Sequence, residues 1–252
     1  MGARLKSLLY SSYGYLPDGK TYMKFGHGDA MHVANIDPDR PGLEIFNVFE
    51  GAKKAPYGFA LRKAETGEVI FGEYAECDLG RCMIGDVNPT VRGLQCWVNT
   101  MYSCTGKELS DKLLGTNQSI RWSADLSTQI LDGVDYLKEK AIGRIGDNIH
   151  GIMLEPEETA MNNGTKGNPC LVADIFGDFR EELLVRKADN SAVRIYTNID
   201  LTKHKLFTFM HDIMYRTSIA WQNNCYNQPG YTKFYYASDM DWAYVLPSLA
   251  KD

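Results

Sequence analysis

Residues 35–44 read NIDPDRPGLE, and residues 86–95 repeat this arrangement as DVNPTVRGLQ. Residues 174–182, DIFGDFREE, form a third and more degenerate copy. Each copy stands between two short apolar segments, which predicts a strand, an acidic turn and a second strand. The first two copies are offset by 51 residues, from Asp37 to Asn88, and a period of ~40–50 residues is typical of β-propeller blades. The repeat therefore predicts an all-β protein built as a β-propeller.

The composition supports this fold class. The 252 residues include 15 Tyr, 10 Phe and 23 Gly, which favours short strands separated by turns over a helical bundle. At the period of the repeat the chain holds roughly four blades, with one long insertion between residues 99 and 168. Thr66-Gly67 and residues 189–191 predict two hairpins, because these residue types tolerate the positive φ angles of tight turns. One short helix is predicted to begin at Asp125.

Charge and hydrophobicity exclude several classes of protein. With 27 Lys and Arg against 32 Asp and Glu, the formal net charge is −5. This charge argues against nucleic acid as the main partner, and a polyanionic substrate would need a local basic site. No stretch approaches the ~20 apolar residues of a membrane span.

The cysteines and the first residues carry less information. Six cysteines without a CxxC spacing favour buried reduced thiols over a zinc site, and spacing selects no disulfide pairing. Residues 1–12 lack the apolar core of a signal peptide, so the chain read alone is cytosolic. A chain that begins partway through a larger protein would look the same.

The acidic turns predict calcium binding. Asp and Asn oxygens alternate along each turn, and an acidic residue follows a few positions later in two of the copies. Calcium takes about 6–8 oxygen ligands in flexible geometry. Asx turns use the same residues without a metal, but the threefold repetition favours structural calcium. The candidate ligands are Asp37, Asp39, Glu44, Asp86, Asn88, Asp174, Asp178 and Glu182.

Three polar segments lie apart from the repeats. Residues 26–32, GHGDAMH, supply His27, Asp29 and His32 as further candidate metal ligands, with hydrogen-bonded histidines beside a calcium turn as the alternative. Residues 162–169, NNGTKGNP, expose backbone amides and one lysine, but they lack the P-loop spacing and alone would be a solvated turn. Residues 211–229 combine amide side chains with aromatic rings, which weakly indicates carbohydrate binding.

Together these segments resemble the rhamnogalacturonan lyases of polysaccharide lyase family eleven. The resemblance implies an eight-bladed β-propeller with several structural calcium ions and a central cleft. It also implies cleavage of the bond between rhamnose and galacturonic acid by β-elimination. The matching motifs run along nearly the whole chain, at residues 26–32, 37–44, 80–81, 163–170, 173–182, 210–216 and 220–229.

Family enzymes are much longer, so residues 1–252 are interpreted as one partial propeller domain, the C-terminal portion of the catalytic domain with roughly the last four blades. The resemblance makes Lys166, in the Asn-Gly-Thr-Lys loop, the candidate base. Arg81 matches a family arginine and would neutralise the substrate carboxylate or assist departure of O4; which of the two residues does which stays open. The candidate sugar contacts are Asn163, Gly164, Thr165, Asn223 and Asn227.

Two positions depart from the family pattern. Phe49 stands where that pattern has a histidine, and phenylalanine cannot ligate a metal. Asn35 replaces the Asp found at the corresponding positions of the other two turns, which removes a charge. Both changes bear on whether the chain is active.

Three hypotheses follow from the sequence. The first is a calcium-dependent lyase that acts on rhamnogalacturonan I of pectin; by resemblance it is secreted and, at full length, a monomer with no nucleic-acid or membrane partner. The second is a non-catalytic propeller fragment that binds the glycan without cleaving it. The third, a calcium-stabilised adhesion propeller, does not explain the Asn-Gly-Thr-Lys loop and ranks last.

Overall fold

The computed structural model describes residues 13–15, 18, 20–135, 140–164, 166–224 and 228–241. These residues form four four-stranded sheets and one two-stranded sheet. The strand pairs within the four larger sheets are antiparallel, and none of the described sheets closes on itself. The predicted all-β class is therefore confirmed.

The strands follow one another as hairpins. The small sheet contains β1 (Tyr13–Tyr15) and β2 (Tyr22–Lys24). The first large sheet contains β3 (Met31–Ala34), β4 (Glu44–Val48), β5 (Phe59–Lys63) and β6 (Val69–Glu73). The second contains β7 (Met83–Gly85), β8 (Gln95–Trp97), β9 (Met101–Tyr102) and β10 (Glu108–Leu109). The third contains β11 (Gln118–Ile120), β12 (Gln129–Asp135), β13 (Lys140–Asp147) and β14 (Gly151–Leu154).

The fourth large sheet has a different order. It contains β15 (Thr159–Ala160), β16 (Leu171–Ala173), β17 (Glu182–Lys187) and β18 (Val193–Tyr196). β15, β16 and β18 all pair with β17, whereas the first three sheets are simple meanders. Among the described residues, short 3-10 helices span Ala52–Lys54 and Phe209–His211, and an α-helix, α1, spans Ile213–Trp221. No helix in the described ranges is long and apolar enough to cross a membrane.

The same side-chain contact recurs in all four large sheets. A residue at the start of β4, β8, β12 or β17 accepts hydrogen bonds from two consecutive backbone N–H groups of the preceding turn, at 2.7–3.3 Å. Two of these residues are glutamates and two are glutamines, so the position requires an acceptor rather than a charge. The four residues are Glu44, Gln95, Gln129 and Glu182.

Two predictions about the middle of the chain are wrong. The insertion predicted between residues 99 and 168 instead contains the third sheet, so the repeat has four copies. No helix begins at Asp125; its carboxylate accepts hydrogen bonds from the Ser127 N–H and hydroxyl at 3.0 and 2.7 Å. The chain then enters β12. The turn contains serines and lacks the Asp-Pro and Asn-Pro pairs of the first two turns, which hid this copy in the sequence.

The two predicted hairpins are confirmed. Gly67 has φ 76° between β5 and β6, and Asn190 has φ 61° between β17 and β18. Five cysteines lie in the described part of the chain as free thiols; Cys82, Cys96 and Cys104 are buried, whereas Cys77 is exposed.

The core joins neighbouring sheets and the C-terminal segment. Aromatic, aliphatic and cysteine side chains of the first two sheets pack with tyrosines of residues 231–236. A second cluster joins the third sheet to the fourth, for example Leu131 to Leu183. The C-terminal segment therefore contacts the beginning of the described chain, which is what brings the distant polar segments together.

Candidate functional site

Lys166 and Asp29 are the first contact between the polar segments. The loop that carries Lys166 is closed by a bridge between Asn163 and Asn168, and the Lys166 N–H donates to Asn163 Oδ1 at 2.9 Å. Its Nζ lies 3.7 Å from Asp29 Oδ2, with the two side chains 28% and 22% exposed. Asp29 stands two residues before β3. The structure thus joins the Asn-Gly-Thr-Lys loop to residues 26–32.

Glu50 belongs to the same cluster and was missed in the sequence. Its Oε2 lies 3.2 Å from Nδ1 of the exposed His27, and its N–H donates to the His27 carbonyl. Burial raises the pKa of Glu50, and the Asp29 carboxylate raises it further by accepting a hydrogen bond from the protonated Glu50 carboxyl group. The feature that could have revealed Glu50 is the antiparallel pairing of β3 with β4, which sets Met31 opposite Asn47. Continuing that register brings residue 50 opposite residue 28.

His32 has a structural role that contradicts its prediction as a metal ligand. It is buried, with Nε2 donating to the Cys82 carbonyl at 2.8 Å and Nδ1 accepting from the Tyr231 hydroxyl at 3.2 Å. Burial lowers the pKa of His32 to about 4, and the charge of Arg81 contributes. Because the ring is neutral and both nitrogens have protein partners, neither nitrogen is available to a metal ion.

Arg81 lies behind the site rather than on its surface. Only 6% of it is exposed, and it donates to the Thr116 carbonyl through Nε at 3.2 Å and to the Asn117 carbonyl through Nη2 at 3.0 Å. Lys166 instead contacts Asp29. The two candidate catalytic residues, Lys166 and Arg81, therefore have different immediate partners. They are connected indirectly: Lys166 contacts Asp29, and His32 of the same segment donates to the carbonyl of Cys82, which follows Arg81.

The third polar segment reaches the same region. Asn223 Nδ2 donates to the Cys170 carbonyl at 2.5 Å, directly after the Lys166 loop. Gln222, at the C-terminal end of α1, bonds both the N–H and the carbonyl of Val172 at 2.8 and 2.9 Å. Gln228 Nε2 donates to the Asp29 carbonyl at 3.2 Å. Gly164 lies in the Lys166 loop, whereas Thr165 and Asn227 lie outside the described residues.

In the first acidic turn, two buried side-chain oxygens have no hydrogen-bond donor among the described residues. Glu44 Oε1 and Asn35 Oδ1 are buried and have no hydrogen-bond partner within the described ranges. Arg40 lies 3.5 Å from Asp37 and 3.9 Å from Glu44. Burial raises the pKa of Glu44. The neighbouring Asp39 faces Arg92 at 2.8 Å. This turn thus has oxygens that a cation would satisfy.

The other acidic turns use their oxygens on the protein itself. Asp174 accepts from four backbone N–H groups, and Glu182 accepts from two backbone groups and from Thr197. Asp178 pairs with Arg180. Among the residues with described positions, no three His, Cys, Asp or Glu side chains form a group spaced to hold a metal ion.

The second turn has the same character. Asp86 accepts from the Ser238 N–H at 2.6 Å, and burial raises its pKa. Asn88 accepts from the Thr90 hydroxyl at 2.6 Å. Asn88 also accepts from the Thr90 N–H at 3.1 Å, which is the contact of an Asx turn and needs no metal. The Asp86 contact instead reaches the C-terminal segment.

Phe49 is a core residue. It is fully buried, its ring packs edge-on against Phe25 with centroids 5.3 Å apart, and the buried Arg62 guanidinium lies 5.6 Å from each of the two rings. The position therefore contributes packing beside Glu50 and no ligand.

Comparison with known proteins assigns the family. The model for "Rhamnogalacturonan lyase family 11, C-terminal domain" matches residues 7–245. The chain belongs to this family. Among its relatives, rhamnogalacturonan exolyase YesX of Bacillus subtilis is 43% identical over 233 residues, covering 85% of this chain and 37% of YesX. Rhamnogalacturonan endolyase YesW of the same organism is 42% identical over 237 residues, covering 92% of this chain and 37% of YesW.

Solved structures of family eleven lyases share the fold. The Bacillus licheniformis rhamnogalacturonan lyase has a TM-score of 0.80 at 42% identity, over 86% of this chain and 37% of that one. The exotype lyase YesX has a TM-score of 0.81 at 42% identity, over 86% and 38% of the two chains. The chain thus spans a little over a third of the length of the relatives it matches.

Proposed function

We propose that the chain is the C-terminal part of the catalytic domain of a rhamnogalacturonan lyase that cleaves the pectin backbone by β-elimination. Family membership supports the reaction class. The observation that carries the proposal is the contact between Lys166 and Asp29, which unites a loop and a strand start 137 residues apart in the chain. A solvated turn, the alternative for this loop, would not need such a contact.

The reaction needs a base, a site for the substrate carboxylate and a proton for the leaving oxygen. A base removes the C5 proton of galacturonate, the C5–H electron pair becomes the C4–C5 double bond, and the C4–O4 bond breaks as O4 takes a proton. In our proposal Lys166 is the base and Asp29 orients its amine. Arg81 supplies fixed positive charge from behind the site, where little solvent screens it.

Calcium is the cation we propose for this region, although the described His, Asp and Glu side chains are not spaced as a three-ligand metal site. The carboxyl groups of Asp29 and Glu50 share a hydrogen bond, and the exposed His27 imidazole lies 3.2 Å from Glu50, so these three side chains bring oxygen and nitrogen ligands close together. Asn35 and Glu44 offer the buried acceptors of the first turn. Calcium bound beside Asp29 would supply positive charge that stabilises the enolate-like carboxylate. His32 is not part of this proposed ligand set.

The architecture and location of the protein are further parts of the proposal. The four large sheets would be blades of an eight-bladed propeller, whose other blades correspond to the part of the family enzymes beyond this chain. The substrate would be rhamnogalacturonan I, and the protein would be secreted and monomeric at full length. The meander order of the first three sheets supports the propeller assignment.

The test is the unsaturated uronate product, which absorbs near ~235 nm, as expected for this reaction class. The parent protein, which is the full-length protein that contains this chain, is incubated with rhamnogalacturonan at alkaline pH with calcium, beside its variants Lys166→Ala and Lys203→Ala. The first variant should lose the absorbance, and the second, at an exposed lysine elsewhere, should keep it. No absorbance from the parent protein would refute the lyase assignment.

A second candidate is a glycan-binding domain that does not cleave. The burial of Phe49 beside Glu50 favours it. Phenylalanine stands where the family pattern has a histidine, and it cannot ligate a metal. Retention of the parent protein and of Lys166→Ala in rhamnogalacturonan affinity gels, with no product in either case, would support this candidate.

A further inference from the structure

A cationic hollow adjoins the candidate site. It measures about 670 Å³, within the rough 300–1,000 Å³ range of small-molecule sites, and its lining includes Lys24, Lys53, Lys54, Phe25, Gly26 and Glu50. Glu50 is the partner of His27, and Gly26 precedes that histidine. The hollow and the site therefore share a wall.

The charge that faces this hollow is mainly positive. Within the described ranges, none of the three lysine ammonium groups has an ion-pair partner, and all three side chains are exposed. Glu50 is already engaged by His27 and Asp29, which leaves Glu76 as the other acid of the lining. In a protein of net charge −5, such a patch attracts anions locally rather than through the overall field.

The backbone holds two of these lysines in place. Lys53 and Lys54 form the 3-10 helix directly after Gly51, and the Lys54 N–H donates to the Gly51 carbonyl at 2.9 Å. A Cβ at Gly51 would come within 2.5 Å of the Ala55 Cβ, so the turn closes too tightly for a side chain. The preceding Glu50 is bonded to His27. The backbone that carries the lysine pair is therefore held next to the site.

We infer that this hollow is a subsite for a second uronate carboxylate of the polymer, next to the sugar that reacts. The inference rests on the proposed function and deepens it, because a backbone that alternates rhamnose with galacturonate carries a carboxylate on every second sugar. Lys53 and Lys54 take that carboxylate, and Lys24 faces it from β2. The subsite holds long acidic substrates and does not take part in the chemistry.

The experiment compares the double variant Lys53→Gln/Lys54→Gln with a matched control, Lys203→Gln/Lys205→Gln, at two exposed lysines away from the hollow. KM and kcat are measured on rhamnogalacturonan at low salt, and binding is measured separately by affinity gels in a Lys166→Ala background. The hollow variant should raise KM about three- to tenfold with kcat unchanged, as expected for two exposed charge contacts. Binding should weaken by the same factor, and 0.5 M NaCl should remove the difference because salt screens exposed charges.

A carboxyl-reduced rhamnogalacturonan is the neutral probe. It should bind the parent protein and the hollow variant equally. An unchanged KM for the acidic polymer, or an equal loss in the control variant, would overturn the inference while leaving the lyase assignment intact. A parent protein that neither cleaves nor binds rhamnogalacturonan would instead refute the proposed function, and this subsite with it.

Discussion

Replacing Glu181 tests how the sheets are held around the site. Glu181 precedes β17 and is 1% exposed. It accepts from the Arg121 backbone N–H at 2.8 Å and the Tyr215 hydroxyl at 2.6 Å, and its carboxylate lies 3.4 Å from the Arg121 guanidinium. Arg121 also donates to the Gly230 carbonyl and lies 5.0 Å from the Tyr231 ring. One carboxylate thus connects the third sheet, the fourth sheet, α1 and the C-terminal segment.

The magnitude follows from what the substitution leaves behind. Glu181→Leu would strand the buried Arg121 charge, and breaking a buried pair from one side costs about 3–5 kcal/mol. The Gly230 carbonyl and the Tyr231 ring remain, so we expect the lower half of that range. Tyr215→Phe keeps the ion pair and removes one hydroxyl, which should cost about 1–2 kcal/mol.

Urea unfolding at pH 7, followed by circular dichroism, measures both free energies of unfolding. Arg121→Met/Glu181→Leu is the matched control, because replacing both partners removes the stranded charge. This double variant should be more stable than Glu181→Leu alone. If Glu181→Leu lowers the free energy of unfolding by less than about 1 kcal/mol, the buried pair does not hold the sheets together as argued.

Three further predictions concern the turns. His150 lies 2.9 Å from Asp147 and 3.3 Å from Asp125, and the hydrogen bond to Asp147 is the main reason that its pKa lies above 6.5. The stabilisation that protonated His150 gives should be complete below pH ~6.5 and should be lost as the pH rises through the raised pKa. His150→Gln should remove this pH dependence from the Tm profile. Gln95→Glu should keep the two turn bonds, whereas Gln95→Leu should cost about 1–3 kcal/mol by stranding buried N–H groups, as urea titration would reveal. Calcium should raise the Tm of the parent protein but much less that of Glu44→Gln; an equal rise in both would remove the first turn from the proposed calcium sites.

The part of the fold predictable from sequence was the part with a repeated turn chemistry. Asp-Pro and Asn-Pro pairs at Asp37 and Asn88 marked the first two sheets, and Asp174 marked the fourth. The third sheet was missed because its turn lacks the Asp-Pro or Asn-Pro pair, although Gln129 accepts from the same two backbone N–H groups and Ser127 donates to Asp125. The feature that all four sheets share is a side-chain oxygen acceptor at the start of the second or third strand of the sheet, and either glutamate or glutamine supplies it.

The site was predictable only in pieces. Lys166 and the segment around Asp29 came from resemblance, since their separation of 137 residues carries no local signal. The place of Glu50 in the site follows from the register of β3 and β4, which the composition does not predict. The burial of Arg81 depends on carbonyls contributed by residues 116–117 of the neighbouring sheet, and no pattern within its own segment could reveal that.

Asp29 contacts three separate parts of the chain, so the site forms only when those parts pack together. Its carboxylate contacts Lys166 from the fourth-sheet side, its side chain bonds Glu50 at the end of β4, and its carbonyl accepts from Gln228 in the C-terminal segment. The cluster can therefore form only after the first sheet, the fourth sheet and the C-terminal segment have docked. Since the Arg121–Glu181 pair fixes two of those three parts, weakening it should loosen the Lys166 contact before it unfolds the sheets. Glu181→Leu should consequently lose lyase activity at urea concentrations where its circular dichroism is still native, whereas Tyr215→Phe should lose the two signals closer together.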